Sequence, residues 1–378
     1  MEKRVLILGG GDGGTILANR LARRLGPDEL SIEVIDKEGT HWYQPGFLFS
    51  AVGEAEREEI SLCRVALYKE NVKFTQAEVT KIDLDDRKVS LKDGSERSYD
   101  YLVIATGSTL YYDDIPGFKG GADHFWSFGA SMRLRKKLMS IKSGRVLVGV
   151  GGLTYKCPVA PLEMVFLADE LFRRRGVRDS IELVYLSPMG RAYGPHLLNK
   201  LVEEEMAKRG IELVTYFTVD EIDGKNRKVM SAEGDSLDYD ILILSPPHRG
   251  SEVIINSGIG DDEGWVPVDK HFLTVKGYDD AFAIGDATAL PIPKTGVVAH
   301  FQAATLANNI AADIRGGIKE TFDGQSFCLI EMGESRASAQ VSNYRYNIPP
   351  GLIPNWLFHA MKMAFTKMYW KYILTGLM

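Results

Sequence analysis

Hydrophobic and polar positions fall along the chain in blocks whose period switches between strand-like and helix-like. Val5-Leu6-Ile7-Leu8 is a continuous apolar run, long enough for a buried strand and too short for a helix. The glycine-rich turn Gly9 to Gly14 follows, then a stretch of helical spacing to Arg24 that Gly26-Pro27 ends. A second apolar strand, Ile32 to Ile35, closes on Asp36, 22 residues after Gly14. Residues 4 to 36 therefore predict one βαβ unit of an α/β fold.

The pattern then repeats. Tyr99-Asp100-Tyr101-Leu102-Val103-Ile104-Ala105-Thr106-Gly107 is echoed 140 positions later by Tyr239-Asp240-Ile241-Leu242-Ile243-Leu244-Ser245-Pro246-Pro247. At the same offset, Val146 to Gly151 echoes the opening strand and its glycines. Ala281 to Ala287 reads as a last strand delivering Asp286 to a site, and a helix is predicted from about Val297 to Arg315. This predicts tandem Rossmann-like domains, the second inserted in the first. Residues 1–110 and 269–330 form one domain, 111–268 the other, and 331–378 a C-terminal amphipathic helical region.

Gly9 to Gly14 contains GxGxxG, and each part has a physical role. Gly9 makes the tight turn, Gly11 lets the backbone approach a pyrophosphate, and Gly14 allows close helix packing. The helix N-terminus attracts phosphate, and Asp36 accepts from ribose hydroxyls. An ordinary glycine-rich turn would need none of the flanking strands or the acid.

Gly9 to Gly14, Asp36, the Ala105-Thr106-Gly107 segment and Gly285-Asp286 together resemble the pyridine nucleotide-disulfide oxidoreductase superfamily over roughly residues 1 to 320. The resemblance implies a bound FAD. The positions it marks for the cofactor are Gly9, Gly11, Gly13, Gly14, Asp36, Lys37, Pro45, Val79, Ala105, Thr106, Gly107, Gly285, Asp286, Lys294, Thr295 and Gly296.

The second fingerprint is damaged. Gly149-Val150-Gly151 is followed by Thr154 where the third glycine belongs, and strand Ile181 to Leu186 ends in Ser187-Pro188 with no acid for a ribose. A tolerated variant of a nicotinamide site and a site rebuilt around Cys157 are both open, the second being favoured. Pro158 and Pro161 fit a helix only in its opening turn, which places Cys157 at or just before a helix N-terminus. There the dipole is expected to move the thiol pKa below ~8.5. Glu163 falls in the first turn, as a helix-start acid or a catalytic one. The stretch His41 to Gly53 holds no cysteine, which excludes the CxxxxC mechanism of the superfamily's disulfide reductases.

Tyr155 to Glu163 and Phe327 to Gly333 resemble the segments that carry the redox cysteines of sulfide:quinone oxidoreductases and flavocytochrome c sulfide dehydrogenases. The tail Trp356 to Lys371 looks like the quinone-binding, membrane-facing end of the quinone enzymes. The resemblance implies that Cys157 and Cys328 meet near the flavin and form a disulfide or sulfur-bridged pair. Hydrosulfide attacks one sulfur, two electrons pass to FAD, and sulfur is retained until polysulfide or elemental sulfur leaves. Cys328 is favoured as the flavin's partner, and Glu163 shuttles protons. Phe327, Lys362 and Phe365 are implied at the quinone, with Phe365 against the ring and Lys362 near a carbonyl. The region Asp123 to Ser127 lacks the third cysteine of many relatives, and His41 to Pro45 lacks a flavin-bonded cysteine, so FAD is expected to be non-covalent. Cys63 reads as structural, and His196 as a loop histidine or a proton carrier.

Charge narrows the partners. The chain has 378 residues and a net charge of -6, the wrong sign for a nucleic-acid binder. Three cysteines, none in CxxC spacing, make neither a disulfide framework nor a metal site. The first apolar stretch runs into glycines, which predicts no signal peptide, and no window is long enough to span a bilayer. Residues 351 to 378 hold three lysines and no acid, among Leu352, Ile353, Trp356, Leu357, Phe358, Met361, Phe365 and Met368. An interfacial anchor needs this composition, although a core or dimer-interface helix also uses it. The expected protein is a peripheral membrane enzyme, on the cytoplasmic face and homo-oligomeric, that oxidises sulfide and reduces quinone. Its rivals are an NADH:quinone oxidoreductase of the same architecture, a sulfide dehydrogenase flavoprotein donating to a cytochrome, and a non-catalytic redox sensor.

Overall fold

The structure is a computed structural model that describes residues 2–194, 196–345, 347–348 and 353–378. The side chains of residues 196–197 and 347–348 lie outside the described set, and so do His196 as a proton carrier and Leu352 of the tail. Two parallel sheets organise the chain. In the first, the strands run in the order Ala281–Ala283, Tyr101–Ile104, Lys3–Leu8, Leu30–Asp36, Val72–Gln76. Strand order reverses at Lys3–Leu8, so a crevice opens past its C-terminal end, where the glycine turn lies.

The second sheet has the order Glu212–Val214, Ile181–Leu186, Gly144–Val150, Ile241–Ser245, again all parallel. The repeat extends beyond the two strands legible in the sequence. An antiparallel triplet, Val79–Asp83, Lys88–Leu91 and Glu96–Ser98, recurs as Val219–Asp223, Lys228–Ser231 and Ser236–Asp238. Both triplets carry a register shift after their first residue, Val79 or Val219. Arg87 and Arg227 both take positive φ, at 52° and 54°. Two copies of one chain path explain this better than coincidence.

A third sheet, Ser326–Glu331 with Ala337–Ser342 and Asn347–Ile348, is antiparallel. Cys328 lies on its first strand, and the apolar residues after it, Ile330 and Met332, are buried in the core of the second parallel-sheet region. The tail helix Trp356–Met368 follows, extended by the wider turn Tyr369–Ile373. Tyr369, Ile373 and Leu374 pack into the first core. Among the described residues, no helix is long and apolar enough to cross a membrane.

Helix Ala160–Arg174 is buried along most of its length, and its Asp169 is fully buried. Arg173, Arg178 and Arg209 all pair with that carboxylate, and Arg209 also reaches Glu334, just beyond the Cys328 strand. The hub thus ties the helix carrying Glu163 to the turn beyond Cys328. Removing one side of a buried charge network strands its partners. Asp169→Ala is expected to destabilise the fold by about 3–5 kcal/mol, measured by chemical denaturation.

Candidate active site

One cavity of about 260 Å³ collects most of the residues singled out in the sequence. Gly11, Gly13, Pro45, Ala105, Gly107, Gly285, Asp286, Lys294, Thr295 and Gly296 line it, together with Cys157, Glu163, Phe327, Cys328, Lys362 and Phe365. Gly9, Gly14, Asp36 and Thr106 stand behind this wall rather than in it. Lys37 is exposed, and Val79 sits on the outlying antiparallel triplet.

The glycine turn is a cradle. Gly9 has φ of 100°, and a Cβ there would collide with the carbonyl of Ala105. A Cβ on Gly14 would collide with the carbonyl of Gly9, whereas one on Gly11 would meet nothing within 4 Å. Gly11 therefore faces open space with its backbone bare. The Asp36 carboxylate accepts from the Gly10 amide at 2.7 Å, and buried Arg64 Nη1, 3.4 Å from it, makes no hydrogen bond. These features suit a phosphate ester with a ribose beside it.

Three helices begin at the cavity wall: Asp12–Arg24, Ala160–Arg174 and Gly296–Arg315. Each directs free backbone N–H groups toward it, a favourable setting for anions. Thr295 caps the third by accepting from the Val298 amide. Lys294 donates to the carbonyls of Asp286 and Thr288 and lies 3.8 Å above the Trp265 ring; burial pushes it down to about 8. Burial raises the Asp286 carboxyl, against the pull of Lys156 and Lys294.

Cys157 lies just before helix Ala160–Arg174, as its flanking prolines predict. Its φ of 49° is left-handed, at a cost of about 1–2 kcal/mol. Its amide donates to the carbonyl of Lys294 and its carbonyl accepts from Ala160, which over-determines the strained residue. The expected lowering of its thiol pKa is overturned. Burial pushes the thiol up, Glu163 and Cys328 add to the rise, and Lys362 and the Ala160 amide offset only part of it. Burial and Glu163 likewise push Cys328 up to about 11. Both cysteines are free thiols here. Cys63, expected to be structural, is exposed at the end of strand Ser61–Cys63 and belongs to no core.

Glu163, in the first turn of its helix, accepts from the Glu331 amide at 2.8 Å and from Lys362 Nζ. The Lys362 ammonium also donates to the Leu329 carbonyl and lies 5.5 Å from the Phe49 ring centroid. Burial would lower its pKa, but Glu163 and Glu331 outweigh that and hold it raised.

Several residues in or directly behind the cavity wall escaped the sequence reading. Tyr369 donates to Asp12 Oδ1 at 2.6 Å, His41 Nε2 lies 2.7 Å from the same hydroxyl, and His41 Nδ1 lies 3.0 Å from the Gly10 carbonyl. Asp12 was visible inside the glycine turn, but its phenol partner is 357 positions away. Phe125, Trp126 and Lys156 form another part of the wall, with Lys156 donating to Gln44 and lying over the Trp126 ring.

A thiol held above its ordinary range carries little thiolate at neutral pH. At pH 8, iodoacetamide is expected to label exposed Cys63 well before Cys328. Below pH 11 the Cys328 rate is expected to rise about tenfold per pH unit, read by peptide mass spectrometry.

The family model described as pyridine nucleotide-disulphide oxidoreductase matches residues 3–305. The mitochondrial sulfide:quinone oxidoreductase of Mus musculus is 26% identical over 393 residues, covering 98% of this chain and 86% of that protein. The type II NADH:quinone oxidoreductase of Staphylococcus aureus (strain NCTC 8325 / PS 47) is 28% identical over 352 residues, covering 85% of each. The X-ray structure of the sulfide:quinone oxidoreductase from Aquifex aeolicus superposes with a TM-score of 0.89 at 25% identity, covering 99% of this chain and 92% of that one. Because the family match runs through both parallel sheets, the chain belongs to the pyridine nucleotide-disulphide oxidoreductase family.

Proposed function

We propose that this protein is an FAD-dependent sulfide:quinone oxidoreductase working through Cys157 and Cys328. One observation carries the reading: both cysteines face a single cavity that also contains the bare glycine turn and the Glu163–Lys362 pair. The similarity to the mouse and Aquifex aeolicus proteins over nearly the whole chain supports it.

The cradle fits FAD. Gly11, Gly13, Ala105, Gly107, Gly285, Asp286 and Lys294 to Gly296 would hold it without a covalent bond, with Gly9 and Gly14 keeping the turn tight and Asp36 behind. Bound there, the flavin supplies a two-electron acceptor that is reoxidised by quinone. The chain's own residues handle sulfur and protons. Hydrosulfide opens the oxidised Cys157–Cys328 pair, leaving a persulfide on one sulfur and a thiolate on the other. Desolvation makes each buried thiolate costly, so the nearby ammonium of Lys362 and the helix N-terminus at Ala160 stabilise the charge as it forms. Glu163 and Lys362 share a proton position beside the reacting sulfurs. Phe327 and Phe365 give the cavity the apolar wall that a quinone ring requires.

The tail supplies the membrane contact. Ile353, Trp356, Leu357 and Met361 are 78%, 70%, 52% and 43% exposed, while Lys362, Tyr369 and Ile373 turn inward. An apolar outer face flanked by exposed Lys367 and Lys371 suits an anionic bilayer surface. On this reading the enzyme is peripheral and works at the cytoplasmic face as a homo-oligomer.

The similarity to the Staphylococcus aureus protein favours a second reading, NADH oxidation. Against it, Ser187 stands where an acid would hold the ribose, its hydroxyl committed to the Arg191 carbonyl at 2.6 Å. The helix after the second glycine turn starts only at Ala160, well past Gly151. Anaerobic flavin bleaching separates the two. Sulfide is expected to bleach the flavin rapidly, with the effect lost in Cys157→Ser and Cys328→Ser; bleaching by NADH alone would establish the second reading. In a separate assay, Trp356→Glu with Leu357→Glu is expected to abolish flotation with anionic liposomes while leaving flavin content unchanged.

A further inference from the structure

The Glu163–Lys362 pair has a continuation that leads out of the protein. Glu163 accepts from the backbone N–H of Glu331, and the Glu331 carboxylate lies close enough to Lys362 and Glu163 for all three to perturb one another. On its other side, Glu331 Oε2 and Oε1 lie 3.0 Å and 3.1 Å from His359 Nδ1. His359 is one turn before Lys362 on the tail helix and its side chain is 28% exposed, whereas that of Glu331 is 2% exposed. The charged groups facing this chain come from four elements. Glu163 belongs to helix Ala160–Arg174, Glu331 to strand Ser326–Glu331, and Lys362 and His359 to the tail helix. Glu54, beyond helix Gly46–Ala51, acts on His359 and is itself paired with Arg174 and close to Glu170.

We propose that Glu331 and His359 carry protons between solvent and the buried Glu163–Lys362 pair, as the route that supplies quinone reduction. The inference rests on the sulfide:quinone reading. The stoichiometry requires such a route: HS⁻ + Q + H⁺ → S + QH₂. Hydrosulfide gives up two electrons and one proton, quinone takes two of each, and the missing proton comes from water. Glu163 and Lys362 are buried, so that proton needs a line of titratable groups leading from solvent toward the pair. Glu331 suits the inner step because burial raises its carboxyl, against the pull of Lys362 and His359, and so favours a proton-bearing state. His359 suits the outer step because its imidazole meets the Glu331 carboxylate on one side and is 28% exposed to solvent on the other. A purely structural role for Glu331 would be met by its buried partner Lys362 alone and would need no group exposed to solvent.

The test uses the flavin-loaded enzyme with sulfide and a short-chain quinone analogue. His359→Ala is expected to slow turnover about tenfold or more, most strongly at high pH where protons are scarce, while sulfide still bleaches the flavin anaerobically. Added imidazole should restore most of the lost rate. His359→Asn, which keeps a hydrogen bond to Glu331 but carries no titratable nitrogen, should be as slow as His359→Ala. Glu331→Gln should be slow and insensitive to imidazole. Full turnover in His359→Asn, or a slow His359→Ala that imidazole leaves unchanged, overturns the relay. Failure of sulfide to bleach the wild-type flavin overturns the reading beneath it, which keeps the two failures apart.

Discussion

Where helix Ala160–Arg174, strand Ser326–Glu331 and the tail helix converge, the Glu163 carboxylate meets the Lys362 ammonium out of reach of bulk water. These segments are far apart in sequence, and the pair closes the cavity where their ends come together. A buried ion pair adds little net stability, since desolvating both charges cancels much of their attraction. Either charge alone would be stranded, which favours the docking of the tail in which the two meet. That position brings Phe365 and Tyr369 to the cavity and leaves Trp356 and Leu357 in solvent. At the cysteines the pair's two halves oppose each other: Glu163 pushes the Cys157 thiol up, and Lys362 offsets part of that.

The internal duplication shows how such a site is built from a dinucleotide fold. In the first copy, helix Asp12–Arg24 starts directly after Gly11, and its free N–H groups meet the cradle. In the second copy the chain leaves Gly151 and wanders through Thr154, whose carbonyl accepts from the His248 amide, before Cys157 bonds to Lys294. Only then does the helix begin, at Ala160. The lengthened connection points the second helix N-terminus at the first domain's cavity. The same backbone feature that offers an anion site at the first glycine turn therefore faces a sulfur in the other copy.

The cysteines show why a local argument can have the wrong sign. Proximity to a helix N-terminus stabilises a thiolate by roughly 1 kcal/mol in exposed settings. Loss of water around a buried sulfur acts the other way and is larger, and neighbouring Glu163 adds repulsion. Only the assembled cavity, with Cys328, Glu163 and Lys362 around Cys157, determines which effect dominates.

Much of the fold was legible because its signals are local. Apolar runs of strand length, glycines at a turn and an acid after the next strand all lie within residues 4 to 36, and the repeat at an offset of 140 betrayed the second copy. The same is true of Cys157 and Glu163, whose placement follows from Pro158 and Pro161. What escaped were pairings between distant positions. Tyr369 with Asp12, Glu331 with His359, and Asp169 with Arg209 are each ordinary residues in their own segments. Periodicity says which face of a helix is apolar, but not which sheet or tail will cover it. Sequence by itself determined the strands, the cradle and the cysteine-bearing helix, because backbone geometry and helix capping act over a few residues. Tertiary structure alone decided the partners of the buried charges and the protonation of the thiols, because desolvation depends on everything that packs around a group.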